Sequence, residues 1–202
     1  MIRLFLNTKH WQLFLLMLGI PLIYQLYVMS QIFGVQNDQE EVSEGNGFTE
    51  VLSEEFIQLE FLPYVMIFFV IVFFGWFWSM AIGLQQKVPE EIEMKVNKFK
   101  VFFFIPLSYI IFLVISMSGV FSAMSMDIYA NIGWIAAIIL PLHLLSIFCI
   151  FYCIYFVAKT IKTAELKKEV GFGDFAGEFF LLWFYFIGIW FIQPKVNRLY
   201  KE

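Results

Sequence analysis

Charge is scarce in this chain of 202 residues. Only 15% are Asp, Glu, Lys or Arg, whereas 61% are hydrophobic. A soluble domain carries about 25% charged and 45–50% apolar residues. A water-facing surface cannot be assembled from what remains, so a soluble enzyme, a disordered tail and a nucleic-acid binder are excluded on composition. Cysteine is scarcer still. Cys149 and Cys153 are the only two, and both lie in an apolar run. They cannot frame a secreted disulfide fold, and four residues apart on one helix they are poorly placed to bond each other. Phosphate-loop, nucleophile-elbow, zinc-protease, CxxC and dinucleotide fingerprints are all missing from the sequence. Gly171-Phe172-Gly173-Asp174 is too short to serve as a phosphate loop.

What is present is apolar length. Mean hydropathy is +0.79, and Phe alone accounts for 27 residues. Four stretches, about 11–33, 61–84, 101–124 and 132–158, exceed the roughly 20 residues needed to cross hydrocarbon. The first is too long for a signal-peptide core and has no small-residue cleavage site after it, so it reads as an uncleaved span. A fifth stretch, about 175–192, is borderline in length.

Basic residues fall in four clusters: Arg3 and Lys9; Lys87 to Lys100; Lys159 to Lys168; Lys195 to Lys201. None lies in 34–86 or 101–158, whereas eight of the 17 acids lie in 34–60. With four crossings, the first three basic clusters share one side. The positive-inside tendency makes that side cytoplasmic and 34–60 an acidic outer segment. The expected fold is all-α: one membrane domain over 1–202, with four transmembrane helices in an antiparallel bundle. Residues 172–200 are expected to form a re-entrant or interfacial segment. If 175–192 spanned, Lys195, Arg198 and Lys201 would be the only basic residues outside. Gly188 offers a bend, and Pro194 is expected to interrupt the helix. Both termini are then cytoplasmic. The segment 34–60 contains no glycosylation sequon, and the expected location is a bacterial inner membrane.

The connections carry signals of their own. Thr49 suits a helix cap ahead of an amphipathic stretch leading to Pro63. Pro89, with Glu90 and Glu91, suits the start of a surface helix striped by Ile92, Val96 and Phe99, with a Glu91–Lys95 pair. The short 125–131 connection makes spans three and four antiparallel neighbours. The run 159–170 has no breaker before Gly171 and extends the fourth helix into water.

Gly75, Ser79 and Gly83 repeat a small residue every four on the second span; Ser118 and Ser122 do so on the third, and Gly133 and Ala137 on the fourth. Such stripes let helices approach closely, within one bundle or between copies. His143 is the one histidine inside a span, on the same side of its helix as Ser146, Cys149 and Cys153. The six-residue step from His143 to Cys149 is a rise of about 9 Å, too far for one metal shell. A packed polar stripe fits better. Asp174 and Glu178 share a face of the fifth stretch. They suit either cation coupling or, more simply, a cap and a first-turn carboxylate facing Lys167 or Lys168. The acidic run Asp38 to Glu44 lacks calcium-loop spacing and reads as solvated.

No catalytic, cofactor or metal constellation stands out. The expected function is therefore a non-enzymatic accessory, scaffold or assembly subunit. Its partners are the lipid bilayer and other membrane subunits or a second copy, not nucleic acid. A small oligomeric transporter or channel is the alternative; its polar path would run through Gln25, Ser79, Ser116, Ser118, Ser122, Asn131 and His143. A lipid-acting enzyme would need Asp174 or Glu178.

Overall fold

A computed structural model describes residues 2–38, 61–117 and 132–202, with side-chain environments for 2–30, 61–116 and 137–202. Among these residues all repeating structure is helical. Four helices are long and apolar enough to cross a membrane: His10–Ser30, Leu62–Lys87, Val96–Ser116 and Ala137–Leu166. The expected helix at 49–60, the 125–131 connection, Ser118, Ser122 and Asn131 lie outside the described residues.

The chain opens with a short helix, α1 (Ile2–Asn7), that the composition did not announce. It stops because Asn7 and Thr8 turn their side chains back onto the carbonyls of Arg3 and Leu4, at 2.8 and 2.7 Å. Lys9 is extended, its N–H donating to Gln12 Oε1 at 3.0 Å, and α2 (His10–Phe14) starts there. A π-turn, Leu15–Gly19, joins it to α3 (Ile20–Asp38). Pro21 explains the turn. It has no N–H to give Met17, four residues back, and its ring presses on that carbonyl, so the ladder opens by one residue.

Helix α4 (Leu62–Gly83) begins with Pro63 in its first turn and tightens into a 3-10 turn at Leu84–Lys87. The expected surface helix from Pro89 does not form. Pro89 holds Val88 extended, at φ −80° and ψ 132°. Residues 89–95 form turns, with the Ile92 N–H donating to the Pro89 carbonyl at 3.0 Å and the Val96 N–H to the Met94 carbonyl at 2.8 Å, and the Glu91–Lys95 pair is not among the ion pairs of the described residues. Helix α5 (Val96–Met117) absorbs the rest of the expected stripe. Helix α6 (Ile132–Leu166) carries the fourth span through the Lys/Glu run, as its lack of a breaker implies. It ends at Lys167, whose φ of 53° is a left-handed C-terminal stop.

Ring pairs fix the register of neighbouring helices. Phe74 meets Phe103 and Trp78 meets Phe99, at 5.3 and 6.1 Å, so α4 and α5 run oppositely. Phe99 stacks on Phe156 at 4.7 Å, Phe102 meets Tyr152 at 4.6 Å and Tyr109 meets His143 at 5.8 Å, so α5 and α6 do too.

After Gly171, α7 (Phe172–Trp183) and α8 (Tyr185–Lys201) form a helical hairpin hinged at Phe184, φ −90° and ψ 58°. This corrects the expected break. Pro194 sits inside α8, and Gly188 is not a bend either. Gly188 faces the Leu181 carbonyl so closely that any Cβ would collide with it. The glycine is the point where the two arms meet. Tyr185 packs on Phe69 and Phe73, at 5.9 and 5.5 Å, and Trp76 reaches Gln193. The second arm thus runs alongside α4 in the same direction. The core consists of Trp76, Phe77 and Met80 from α4, Leu6 and Leu13 from the N-terminal helices, Phe99, Ile161, Phe175, and Ile189 and Ile192 from α8.

Candidate functional site

Two polar clusters anchor the hairpin to the other helices. The first joins α6, α7 and α8. Lys162 and Glu165, one turn apart near the end of α6, pair at 3.0 Å. Glu165 takes Lys195 at 3.0 Å, Lys195 takes Glu178 at 2.8 Å, and Glu178 returns to Lys162 at 3.3 Å. The four charges close a neutral ring in which each lysine bridges both carboxylates. Both lysines use Oε2 of Glu165 and Oε1 of Glu178. Arg198 stands 3.8 Å from the other oxygen of Glu165.

Glu178 is the buried member, at 7% exposure. Burial pushes its carboxyl up, but the hydrogen bond from Lys195, its own backbone N–H and the charges of Lys195 and Lys162 outweigh burial and hold it below the usual glutamate range. Its expected partners, Lys167 and Lys168, are not used. Lys167 instead donates to the Lys87 carbonyl at 2.6 Å, tying the end of α6 to the 3-10 turn. Asp174 is a cap: its carboxylate accepts the Gly171 N–H at 2.8 Å.

The second cluster seals the break between α1 and α2. Gln193 is fully buried on α8. Its Oε1 accepts the Trp76 indole N–H at 2.8 Å. Its amide nitrogen faces the Phe5 carbonyl at 2.8 Å, the Thr8 carbonyl at 2.9 Å and Asn197 Oδ1 at 2.8 Å. Asn197 adds a bond to the Thr8 carbonyl at 3.1 Å. Carbonyls released by the break are thus taken up by two side-chain amides one turn apart.

The small-residue stripe on α4 faces this same place. A Cβ on Gly75 would lie 2.8 Å from the Phe5 ring, and one on Gly83 would lie 2.5 Å from Leu6 and 2.8 Å from Ile2. Ser79, fully buried between them, bonds back to the Gly75 carbonyl at 2.7 Å. The groove is occupied by α1 of the same chain. Gly133 lies in α6 before its described side chains, and Ala137 is exposed.

His143 is remote from both clusters. Its Nδ1 is 3.3 Å from the Tyr109 hydroxyl, and its ring is exposed. Ser146 is buried with its hydroxyl unpartnered among the described residues, so the two do not satisfy each other. Cys149 and Cys153 are buried free thiols. No group of three His, Cys, Asp or Glu side chains arranged for a metal occurs among the described residues.

Sequence reasoning found Glu178 and Asp174 but missed Lys162, Glu165, Gln193 and Trp76. The i,i+3 Lys–Glu step on α6 was a weak signal, lost in a run that alternates charges. Gln193 carried a clearer one, as an amide directly after a long apolar stretch.

Comparison of the chain with protein-family models, with curated proteins and with solved structures finds no match.

Proposed function

We propose that the chain is a non-enzymatic multi-pass protein of a bacterial inner membrane, acting as an accessory or assembly subunit of a membrane complex. In this reading four antiparallel spans place the basic loops and both termini in the cytoplasm. The α7–α8 hairpin enters the cytoplasmic leaflet and returns. Charge segregation supports the orientation, because every Lys and Arg then lies on one side. The hinge at Phe184, with Tyr185 at the level of Phe69 and Phe73 near the middle of α4, supports the re-entry. Irregular backbone at such depth must be buried against protein, as the contacts of Tyr185 and Gly188 provide.

One observation carries the functional reading. Polar side chains at the hairpin are engaged in holding the chain together: Glu178 with two lysines, Gln193 and Asn197 with the α1–α2 break, Asp174 with Gly171. Groups that act on a substrate keep a free face toward it; these face each other. The test is purification of the tagged protein in mild detergent from its native membrane, with size analysis and identification of partners by mass spectrometry. Elution as a stoichiometric assembly, with other subunits or further copies, is expected. A lone monomer with no partner contradicts the reading.

The Tyr109–His143 pair favours a second reading, a small oligomeric transporter, because it places a buried phenol beside an exposed imidazole in the apolar length of two spans. Flux in proteoliposomes that is lost in His143→Ala would establish it.

A further inference from the structure

We propose that Lys98, Tyr152 and Tyr155 form a binding site for the phosphodiester headgroup of an anionic phospholipid. The site is separate from both hairpin clusters. It rests on the membrane orientation given above but not on the assembly role.

Lys98 lies in the first turn of α5. Its ammonium sits 5.4 Å from the Phe102 ring centre and 5.0 Å from that of Tyr152, on α6. It has no carboxylate partner among the described residues, in contrast to Lys162 and Lys195. Two aromatic faces hold the cation in place, yet aromatic faces do not neutralise it. Lys98 is exposed, which leaves its ammonium open to an anion.

The neighbouring side chains supply what such an anion needs. Tyr152 and Tyr155 stack with centres 6.3 Å apart, and neither phenol has a hydrogen-bond partner among the described residues. A phenol is a donor, so the two can add O–H bonds to the ion pair. Phe172, from α7, stacks on Tyr155 at 6.5 Å and 10° and is half exposed. Phe102 and Phe172 thus flank the tyrosines with apolar surface suited to glycerol and the first acyl carbons.

Position selects a lipid over a soluble phosphate. Tyr152 and Tyr155 precede Lys159 by seven and four residues, about 10 and 6 Å along the axis. Lys159 opens the basic end of α6, so the phenols lie just inside the headgroup level, where Tyr rings prefer to sit. Net charge selects an anionic lipid. The segments on this side carry thirteen basic and eight acidic residues, and a positive face concentrates anionic lipids beside it.

Native mass spectrometry of the full chain, released from membranes containing both phosphatidylglycerol and phosphatidylcholine, tests the site. Phosphatidylglycerol is expected to be retained over phosphatidylcholine. Lys98→Gln should lower its retention about fivefold, as for the loss of one lysine at a headgroup. Lys98→Arg should keep it, and Tyr152→Phe, which leaves the ring packing intact, should give a smaller loss. Lys168→Gln, an exposed lysine outside the site, should change nothing. Unchanged retention in Lys98→Gln overturns the proposal. So does an equal loss in Lys168→Gln, which would mean diffuse attraction, or equal retention of the two lipids. Displacement by excess inorganic phosphate would make the ligand a free anion and overturn the lipid assignment. If Lys98→Gln alters the size or helix content of the protein, Tyr152→Phe decides in its place.

Discussion

Glu178 shows how far the surroundings of a carboxylate in space can differ from those its sequence suggests. An acid inside an apolar stretch invites a transport or proton-relay reading. Here it lies between two lysines from different helices. Glu178→Gln should leave Lys162 and Lys195 sharing Glu165 alone. The expected destabilisation is on the order of 1–3 kcal/mol, measurable by denaturant unfolding in detergent. Its pH dependence has a definite sign. The folded carboxyl is held below the usual range, so its contribution is complete above the unfolded glutamate pKa, about 4.3, and is lost as pH falls through the folded value. Wild-type stability should therefore drop on acidification, and the Glu178→Gln protein should show a shallower drop. A parallel drop in both would remove Glu178 from the account. Two glycines of the hairpin make a matched pair. Gly188→Ala should destabilise by about 1–3 kcal/mol, because its Cβ meets the Leu181 backbone. Gly177→Ala, with open space around it, should stabilise by up to about 1 kcal/mol through helix propensity. Thermal unfolding of the two variants checks both signs.

At the scale of elements, apolar length was legible, and the small pieces were not. The four long helices follow from hydropathy, because no other structure accommodates such runs. The close-approach face of α4 was legible from Gly75, Ser79 and Gly83, but its occupant was not. The six residues of α1 are too few to show a period, and only the contacts of Phe5 and Leu6 reveal that they fill the groove. The hinge at Phe184 was hidden because Gly188 and Pro194 are the stronger textual breakers, and tertiary contacts override both. The Pro89 helix is the converse case: its local signals were sound, but residues 89–92 close only a single turn, Ile92 N–H to the Pro89 carbonyl at 3.0 Å, before α5 begins at Val96. The groove yields a prediction. Gly83→Leu should expel α1, and Gly75→Leu should do the same through Phe5, whereas Ile71→Leu, on an exposed part of α4, should be silent. Protection of an engineered cysteine at Leu6 from a thiol reagent reads the outcome. Protection kept in Gly83→Leu would mean that α1 does not depend on the groove.

For the whole molecule, the side of the membrane on which each end lies is the deciding feature. The hairpin carries its basic C-terminal segment back toward the ring at Lys162 and Glu165. If it instead spanned, Lys195 and Arg198 would be carried away from their α6 partners, and the ring could not close. The proposed assembly role, the lipid site and the charge segregation all need the same orientation. The direct test is single-cysteine labelling in intact cells with an impermeant thiol reagent, in a background where Cys149 and Cys153 are Ala. Cysteines at Asn46, Asn97 and Glu202 suffice. Labelling at Asn46 only is expected, with Asn97 and Glu202 labelled after the membrane is opened. Labelling of Glu202 from outside would contradict it, because the C-terminal hairpin would then cross the membrane rather than return.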